Sequence, residues 1–434
     1  MPDFSARAWL ARQAYTLLLR LAMPAYLWRV WSRGQEEPGY RAHWPERLGL
    51  YTGASPGAGW VWVHAVSLGE ARAATPLIAA VRQQMPGMRL LLTHTTATGR
   101  EAGRALLQAG DVQAWLPFDT PGAVRRFLRR FQPRVGVLME TEVWPNLLHE
   151  ARRAGVPMVL ANARLSPKSL RQGQRFAALL RPAAQALRLT LAQTEADAQR
   201  LRLMGADPVR VCGNVKFDMS PPPALMRLGQ RWRQADVRPL CLAASTREGE
   251  EPALLDAWLA CAWPAAAVRP RLLIVPRHPQ RFDEVAALVR QRGLSLSRRS
   301  GWPDGLPDDT ARQADVWLGD SMGEMPAYYA AATLAWLGGS FAPLGGQNLI
   351  EAAACGCPLI LGPSTYNFAD AAELSLAAGA SRRVTGWSEG VQVAQQWLQE
   401  GTDPVREAAL AFSLSHRGAS DAMSCDILRT MFTP

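Results

Sequence analysis

The feature that most constrains the fold is a short apolar run that stops at a polar turn and is followed by a helical pattern. The first example is Trp62-Val63-His64-Ala65-Val66, which ends in Ser67-Leu68-Gly69-Glu70. Apolar residues then recur at helical spacing over residues 71–85. We interpret this stretch as a buried strand, a glycine turn and a helix.

The same pattern repeats along the chain, and polar residues follow each predicted strand. Residues 134–139 end at Glu140-Thr141-Glu142, and residues 157–161 end at Asn162-Ala163-Arg164. Such alternation specifies a parallel sheet with helices on both faces. Ligands bind at the carboxyl edge of these sheets, so Glu70 lies where a site would form. The alternative is that Glu70 only favours the helix dipole.

A triple proline divides the chain of 434 residues, which is long enough for two domains. Pro221-Pro222-Pro223 is expected to be a stiff linker, and the strand–helix pattern restarts at residues 239–243. We predict an N-terminal segment over residues 1–50 and α/β domains over residues 51–220 and 221–434. A cleft between the two domains is expected, with the last helix as a candidate to return to the first domain.

Positive charge is concentrated in the first half of the chain. Residues 1–220 hold 29 Lys and Arg against 15 Asp and Glu, a net charge of +14, whereas residues 221–434 carry −3. Aromatic residues do not alternate with the arginines as nucleic-acid stacking requires. We therefore predict an anionic membrane or phosphorylated partner. Four arginines form i,i+4 pairs: Arg125, Arg126, Arg129 and Arg130. We expect them on one side of a helix, facing the anionic partner.

The first fifty residues contain an apolar, aromatic stretch over residues 9–31, which Arg20 and Pro24 interrupt. Interfacial Trp and Tyr with flanking arginines are typical of a helix at a membrane surface. The stretch lacks the small-residue cleavage site of a removable signal peptide. We predict a membrane anchor or an in-plane amphipathic helix, with a helix packed on the first domain as the alternative.

Neither the cysteines nor the acidic residues have metal-ligand spacing. The six cysteines form no zinc motif, no Asp-x-Asp occurs, and the six histidines are scattered. We predict a reducing compartment, no disulfide framework and no metal, so that arginine, lysine and backbone amides neutralise a leaving group. His64 is interpreted as a satisfied core histidine.

The second predicted domain has features of a nucleotide site. Gly338-Gly339-Ser340 and Gly345-Gly346-Gln347-Asn348 allow close backbone approach to a phosphate. Asn348 is expected to open a helix, with Glu351 placed to take a ribose hydroxyl. Arg277, just past a strand end, can bind a phosphate with two hydrogen bonds.

Seven motifs follow one another along the chain: Ser67-Leu68-Gly69-Glu70, Met139-Glu140-Thr141-Glu142-Val143-Trp144-Pro145-Asn146, Ala161-Asn162-Ala163-Arg164-Leu165-Ser166, Gly213-Asn214-Val215-Lys216-Phe217-Asp218, Ala244-Ser245-Thr246-Arg247-Glu248-Gly249-Glu250, Pro276-Arg277-His278-Pro279 and Gly319-Asp320-Ser321-Met322-Gly323-Glu324. In this order they resemble the Kdo (3-deoxy-D-manno-octulosonic acid) transferases of Gram-negative lipopolysaccharide assembly, over essentially the whole chain. Arg247 and Gln347 depart from that family, where His is frequent at both positions.

The resemblance implies two Rossmann-like domains in the GT-B arrangement, an acceptor domain over 51–220 and a donor domain over 221–434. It implies an inverting, metal-independent transfer of Kdo from CMP-Kdo to lipid IVA, an acylated, bisphosphorylated lipid A precursor. The reaction would take place at the cytoplasmic face of the inner membrane, without a cofactor. The role of general base carries over to Glu70, and charge stabilisation to Glu140 and Lys216. The positions that match the family's CMP contacts are Pro276, Arg277, Met322, Gly323, Glu324, Asn348, Leu349, Ile350 and Glu351.

Two other functions fit part of the sequence. A GT-B transferase or epimerase that uses a UDP-sugar would share Gly338-Gly339 and the stretch 348–351, but not the Glu70 and Trp144 motifs. A basic membrane-surface or nucleic-acid-binding protein would explain the charge without turnover. The carboxylates predicted at strand ends argue against this second alternative.

Overall fold

Strands of the computed structural model, which describes residues 6–53, 57–263 and 269–432, form two parallel sheets of seven strands each. The chain divides into two compact units: unit 1 is Met1–Asp218 with Arg417–Pro434, and unit 2 is Met219–His416. The predicted α/β class with two Rossmann-like domains is confirmed. The first five residues of the predicted segment 1–50 lie outside the described residues.

The sheet of unit 1 has the strand order β3-β2-β1-β4-β5-β6-β7. The residues of β1 and β2 are buried on both faces, which explains their nearly continuous apolar sequence. Its strands are β1 (Trp60–His64), β2 (Leu90–His94), β3 (Val112–Trp115), β4 (Pro133–Met139), β5 (Met158–Ala163), β6 (Leu189–Ala192) and β7 (Val209–Val211).

The helices of unit 1 alternate with these strands. They are α1 (Ala6–Arg33), α2 (Leu68–Gln84), α3 (Ala97–Arg104), α4 (Pro121–Phe131), α5 (Pro145–Arg153), α6 (Pro167–Arg175), α7 (Ala177–Ala184) and α8 (Glu195–Leu203). Ser67, Thr96, Ser166 and Thr194 each cap a helix by accepting a hydrogen bond from the backbone N–H three residues later. Such caps satisfy N–H groups that the helix leaves unpaired, so each helix begins directly after its strand or loop.

Unit 2 repeats the architecture with the strand order β10-β11-β9-β8-β12-β13-β14. Its strands are β8 (Leu240–Thr246), β9 (Arg271–Pro276), β10 (Leu296–Arg298), β11 (Val316–Leu318), β12 (Leu334–Leu337), β13 (Leu359–Leu361) and β14 (Ser381–Arg383). Its helices are α9 (Pro223–Gln234), α10 (Glu250–Ala260), α11 (Phe282–Gln291), α12 (Asp309–Gln313), α13 (Met325–Ala331), α14 (Leu349–Ala354), α15 (Ala369–Ala377), α16 (Trp387–Glu400) and α17 (Asp403–Ser415).

The strand order reverses between two neighbouring strands in each sheet. In unit 1 the reversal lies between β1 and β4, and in unit 2 it lies between β8 and β12. Loops leave opposite faces of the sheet there, which opens a crevice at the carboxyl edge. Glu70 follows β1 and Glu140 follows β4, so both lie at the reversal of unit 1.

The last helix of the chain belongs to unit 1. This helix, α18 (Ala419–Phe432), packs against α2 and contributes Met423 and Ile427 to the core beneath the sheet. Asp218 accepts hydrogen bonds from Gly418 N and Ser420 N, both at 2.6 Å, at the start of the helix. The first sheet is therefore covered on one face by residues from the far end of the sequence.

The N-terminal helix α1 continues through Pro24 and packs on α5 and α7. Tyr15 donates to Asp119 Oδ2 at 3.0 Å, and Thr16 lies 3.2 Å from Asn146 Oδ1, so polar contacts fix one face to unit 1. The opposite face exposes large apolar side chains at helical spacing: Leu10, Leu17, Leu21 and Trp28. Among the described helices, none combines the length and apolar character that crossing a membrane requires.

The four arginines of α4 that were expected on one side of a helix divide into two pairs. Arg126 and Arg130 donate hydrogen bonds to backbone carbonyls of residues 48–53. Arg125 forms an ion pair with a buried glutamate of α5 at 3.0 Å, and Arg129 lies one turn further along the same side. Arg126 and Arg130 therefore hold the chain at residues 48–53, and only Arg125 and Arg129 face the surface next to α5.

Candidate active site

Glu70 lies in the first turn of α2, directly after β1. Its Oε2 accepts a hydrogen bond from Val66 N at 2.8 Å, and Ser67 Oγ lies 3.4 Å from its Oε1. Ser67 also caps α2 by accepting from Glu70 N at 3.4 Å. This is a variant of the capping box, in which the glutamate reaches the N–H one residue before the cap. The sequence around Glu70 thus fixes its carboxylate at the strand end.

The pKa of Glu70 is raised to about 7. Burial is the main cause, and the hydrogen bond from Val66 N partly opposes it. The negative charges of Glu142 and Glu140 raise the pKa further. A carboxylate whose pKa lies near neutrality can accept a proton during reaction and release it afterwards. Glu70 therefore has the properties of a general base.

Glu140, directly after β4, lies between two cations. Lys216 Nζ is 2.9 Å from Glu140 Oε1, and Arg164 Nε is 3.3 Å from Oε2. The glutamate is only 7% exposed and has a positive φ of 59°. A left-handed backbone at a non-glycine residue costs about 1–3 kcal/mol, and such residues cluster at functional sites. Burial between two cations distinguishes Glu140 from an ordinary surface carboxylate.

Residues that the sequence analysis did not single out hold Lys216 in place. Asn162 Oδ1 accepts a hydrogen bond from Val215 N at 3.2 Å, and Asn214 Oδ1 accepts one from Lys216 N at 3.0 Å. Gln193 donates to Asn162 O at 2.9 Å. The sequence placed Asn162 directly after its strand, whereas β5 extends to Ala163, and the partner of Asn162 is 53 residues away. Arg164 was quoted only as part of a motif, and its pairing with Glu140 was missed.

His64 at the end of β1 is buried, as expected for a core histidine, but it is only half satisfied. Its Nδ1 lies 2.9 Å from Thr93 Oγ1, whereas its Nε2 has no hydrogen-bond partner among the described residues. Burial lowers the pKa of His64 to about 3, with a contribution from His94. The ring is therefore neutral at physiological pH, and the interpretation as a satisfied histidine is wrong for one nitrogen.

The glycine loop after β12 is organised by a buried carboxylate of α10. Glu250 accepts hydrogen bonds from Gly339 N, Arg247 N, Phe341 N and Ala342 N at 2.7–3.2 Å. At Gly338 a Cβ would lie 2.3 Å from the backbone oxygen of Ser245 in β8, so only glycine fits. In the sequence, Glu250 belongs to a motif but has no predicted role. In the structure it holds together the backbones of the loops after β8 and β12, at the strand reversal of unit 2.

Arg277 follows β9, next to the loop after β8. Its backbone N–H donates to Thr246 O at 2.9 Å, while its side chain is exposed. Pro276 is the buried last residue of the strand. The guanidinium can therefore reach a ligand at the carboxyl edge, whereas Pro276 offers only backbone atoms and one ring edge.

Met322 and Gly323 form the exposed tip of the loop after β11. Glu324 at its base is bound on both oxygens, by Arg299 at 2.9 Å and by Ser321 Oγ at 2.5 Å. Gly323 has a positive φ of 81°, which favours glycine. The carboxylate of Glu324 therefore shapes the loop.

Asn348 caps α14, as predicted, with its Oδ1 accepting from Ile350 N at 3.2 Å. The side chains of Leu349 and Ile350 lie in the core, so a ligand would meet only their backbone. Glu351 in the first turn is half-buried.

The structure collects the predicted residues at two strand edges. Glu70, Glu140 and Lys216 lie at the carboxyl edge of the unit 1 sheet. The predicted CMP contacts lie at the end of β9, on the loops after β9 and β11, and at the start of α14 in unit 2. Across residues 6–53, 57–263 and 269–432, no cluster of three or more His, Cys, Asp or Glu side chains could hold a metal ion.

Solved structures show the same fold at low sequence identity. HepE of Anabaena, solved with UDP, aligns with a TM-score of 0.58 at 15% identity over 86% of this chain and 100% of its own. The UDP-GlcNAc 2-epimerase of Neisseria meningitidis aligns with a TM-score of 0.55 at 16% identity, over 86% and 99%. At these identities the likeness concerns the fold alone.

Sequence comparison is more specific. Residues 42–219 match the family model described as 3-deoxy-D-manno-octulosonic-acid transferase (kdotransferase). A 3-deoxy-D-manno-octulosonic acid transferase of Bordetella pertussis is 49% identical over 95% of this chain and 97% of its own length. The enzyme of the same description from Haemophilus influenzae is 33% identical over 93% and 95%. The chain therefore belongs to the Kdo transferase family of glycosyltransferases.

Proposed function

We propose that this enzyme transfers Kdo from CMP-Kdo to lipid IVA, an acylated and bisphosphorylated lipid A precursor, with Glu70 as the general base. The observation that carries the proposal is a carboxylate with a pKa of about 7 at the same strand reversal as the Glu140–Lys216 ion pair. The family resemblance supplies the identity of donor and acceptor.

The proposed reaction needs one base. The acceptor hydroxyl gives its proton to the Glu70 carboxylate while its oxygen bonds to the anomeric carbon of Kdo. The bond between that carbon and the phosphate oxygen breaks, and CMP leaves with the electron pair. Because a raised pKa makes Glu70 a better proton acceptor, its burial favours this step. After product release the proton passes to solvent.

Glu140 and Lys216 are proposed to stabilise charge. The anomeric carbon of Kdo develops positive charge in the transition state and carries a carboxylate, so groups of both signs are needed there. The carboxylate of Glu140 would stabilise the positive centre, and the ammonium of Lys216 would pair with the sugar carboxylate or the leaving phosphate. The 2.9 Å ion pair between them holds both groups in position before substrate binds.

Unit 2 is proposed to bind the CMP part of the donor. Arg277 would contact the phosphate, and backbone groups of Met322-Gly323 and of residues 348–351 would contact the nucleoside. Fixed N–H groups and a guanidinium are suited to a leaving phosphate. We propose that no cofactor or metal takes part.

The enzyme is proposed to work at the cytoplasmic face of the inner membrane, where an acylated acceptor is available. The exposed apolar stripe of α1 and the +14 charge of residues 1–220 support contact with an anionic bilayer. No nucleic-acid partner is proposed.

The test is to incubate the full-length enzyme with CMP-Kdo and lipid IVA, and to measure the product by mass spectrometry. A mass gain of one or more Kdo residues is expected for wild type, and none for Glu70→Gln. Competition of CMP and UDP for the donor site is the parallel measurement. Tighter binding of UDP, or no mass gain with wild type, would contradict the proposal.

A further inference from the structure

An arginine-lined groove lies at the opposite edge of the unit 1 sheet from Glu70. It has a volume of about 1720 Å³ and is bordered by residues that precede β4, β5, β6 and β7 or begin these strands. Six arginines line it: Arg125, Arg129, Arg134, Arg152, Arg153 and Arg188. The groove is therefore separated from the candidate active site by the length of the strands, about 3.3 Å for each residue.

Arginines outnumber carboxylates in the lining of this groove. Glu150 and Asp207 are the two carboxylates in its lining, and Glu150 is already paired with Arg125 at 3.0 Å. Arg134 lies over the ring of Phe432 at 4.6 Å, a contact that positions the guanidinium without neutralising it. Six cations facing two carboxylates make a site for an anion with several oxygens.

The cations also repel one another. Burial lowers the pKa of His149, and the charge of Arg12 lowers it further; Glu150 opposes these effects, and Arg153 and Arg152 add smaller ones. Burial likewise lowers the pKa of Arg12, where Glu150 opposes the effect and Arg153 adds a smaller one. An anion bound between these side chains would relieve the repulsion.

An apolar pocket opens beside the groove. It has a volume of about 170 Å³ and lies between α1, α5 and α7. Trp9, Leu179 and Pro182 contribute to its wall, and Arg152 and Ala186 line both the pocket and the groove. A site for oxygen anions and a site for hydrocarbon therefore lie side by side and share part of their walls. The exposed apolar stripe of α1 begins at Leu10, next to the pocket.

We propose that the groove and the pocket together bind an anionic phospholipid. The arginines would hold the headgroup phosphate, and the pocket would take part of one acyl chain. A nucleic acid or an acidic protein would bind in the groove and leave the pocket unfilled, whereas a phospholipid would fill both. The inference rests on the proposed membrane contact, to which it adds a specific lipid site, but it does not depend on the transfer chemistry at the opposite edge.

The first test is flotation of the full-length enzyme with vesicles of phosphatidylglycerol or phosphatidylcholine. Binding to phosphatidylglycerol is expected to fall at least about tenfold in Arg129→Glu/Arg153→Glu, because two charges at the headgroup change sign and the net charge falls by four units. Arg104→Glu/Arg227→Glu makes the same charge change at exposed positions outside the groove and should bind like wild type. Equal binding by both double variants would overturn the proposal.

The second test addresses the acyl chain. Native mass spectrometry of the detergent-solubilised enzyme with added phosphatidylglycerol should show one retained lipid for wild type. Ala186→Trp fills the pocket and should lose it, whereas Ala235→Trp, at a half-buried alanine after α9, should retain it. Retention by Ala186→Trp would overturn the proposal. Displacement of the lipid by inorganic phosphate or by duplex DNA at equal concentration would overturn it as well.

Glu70→Gln separates the two proposals. It is expected to abolish transfer while floating with phosphatidylglycerol vesicles like wild type. Wild-type enzyme that floats but transfers no Kdo would contradict the proposed function alone. Wild-type enzyme that transfers Kdo but binds phosphatidylcholine and phosphatidylglycerol equally would contradict the lipid site alone.

Discussion

The two sheets are built alike, but their buried carboxylates are used in opposite ways. Near the strand reversal of unit 1, Glu70 accepts one backbone hydrogen bond and one weak contact from Ser67, and its pKa is raised to about 7. Near the reversal of unit 2, Glu250 accepts four backbone hydrogen bonds. Glu251 beside it is bound by Arg281 at 2.7 and 3.0 Å.

The difference teaches how to distinguish a reactive acid from a structural one in the same fold. Burial raises the pKa of both carboxylates. Glu70 has few donors and its pKa reaches about 7, whereas the backbone N–H groups around Glu250 oppose the rise and make that carboxylate part of the framework. Four variants test this distinction, and the largest effect is expected for Glu70.

Glu70→Gln should lower the rate of transfer by about two to four orders of magnitude, since it removes the general base. Because charged Glu70 is destabilised by burial, the neutral variant should unfold at the same or a higher temperature than wild type at pH 8. CMP affinity should stay nearly intact. Steady-state kinetics, thermal unfolding and CMP titration measure the rate, the stability and the affinity. A variant with near wild-type turnover would remove Glu70 from the mechanism.

Glu250→Ala should instead destabilise the protein by about 3 kcal/mol or more, because it leaves several buried N–H groups without an acceptor. Loss of CMP binding should accompany the loss of stability. Chemical denaturation gives the free energy of unfolding. Glu248→Ala is the matched control, because that neighbouring side chain is 56% exposed and should change stability little. Equal stability of both variants would mean that Glu250 is not a framework residue.

Arg277→Ala should weaken CMP binding by about 1.5–3 kcal/mol, the value of a hydrogen bond to a charged group. Its folding should be unaffected, because the side chain is exposed and only its backbone contacts the protein. Isothermal titration with CMP measures the effect, and Arg290→Ala on the exposed side of α11 is the control. Unchanged affinity would move the phosphate site elsewhere.

The smallest effect concerns pH. The rate should rise with pH through a midpoint near 7, since Glu70 must be ionised to act as a base. Glu142→Gln removes a negative charge that raises the pKa of Glu70, so the midpoint should move to lower pH by a fraction of a unit. The pH dependence of kcat/KM is the measurement. A midpoint that stays in place or moves upward would show that Glu142 does not influence Glu70.

The sequence predicted those features of the structure that depend on residues close together along the chain. The strand–turn–helix pattern placed Glu70 and Glu140 after their strands because each depends on neighbours within a few residues, whereas Asn162 lies within β5. It also predicted the Asn348 cap for the same reason. The parallel sheets followed from the alternation of strands and helices.

Contacts over long sequence separations could not be predicted in this way. Glu250 and Gly339 are 89 residues apart, and nothing near either residue indicates the other. The i,i+4 spacing on α4 was correct, but the loop carbonyls that bind Arg126 lie 78 residues before it. The lack of a hydrogen-bond partner for His64 Nε2 among the described residues depends on how a neighbouring strand packs. These features needed the tertiary structure.

The position of α18 has a consequence for the order in which the enzyme is made. Met423 and Ile427 complete the core of the first sheet, and Asp218 binds the backbone at the start of this helix. Unit 2 is encoded entirely between these partners, so a ribosome has synthesised all of it before unit 1 can be completed. A premature stop within the last 16 codons would therefore damage the unit that carries Glu70 and leave the sequence of the other intact. For the same reason, a fragment ending at residue 220 would expose the surface that α18 covers.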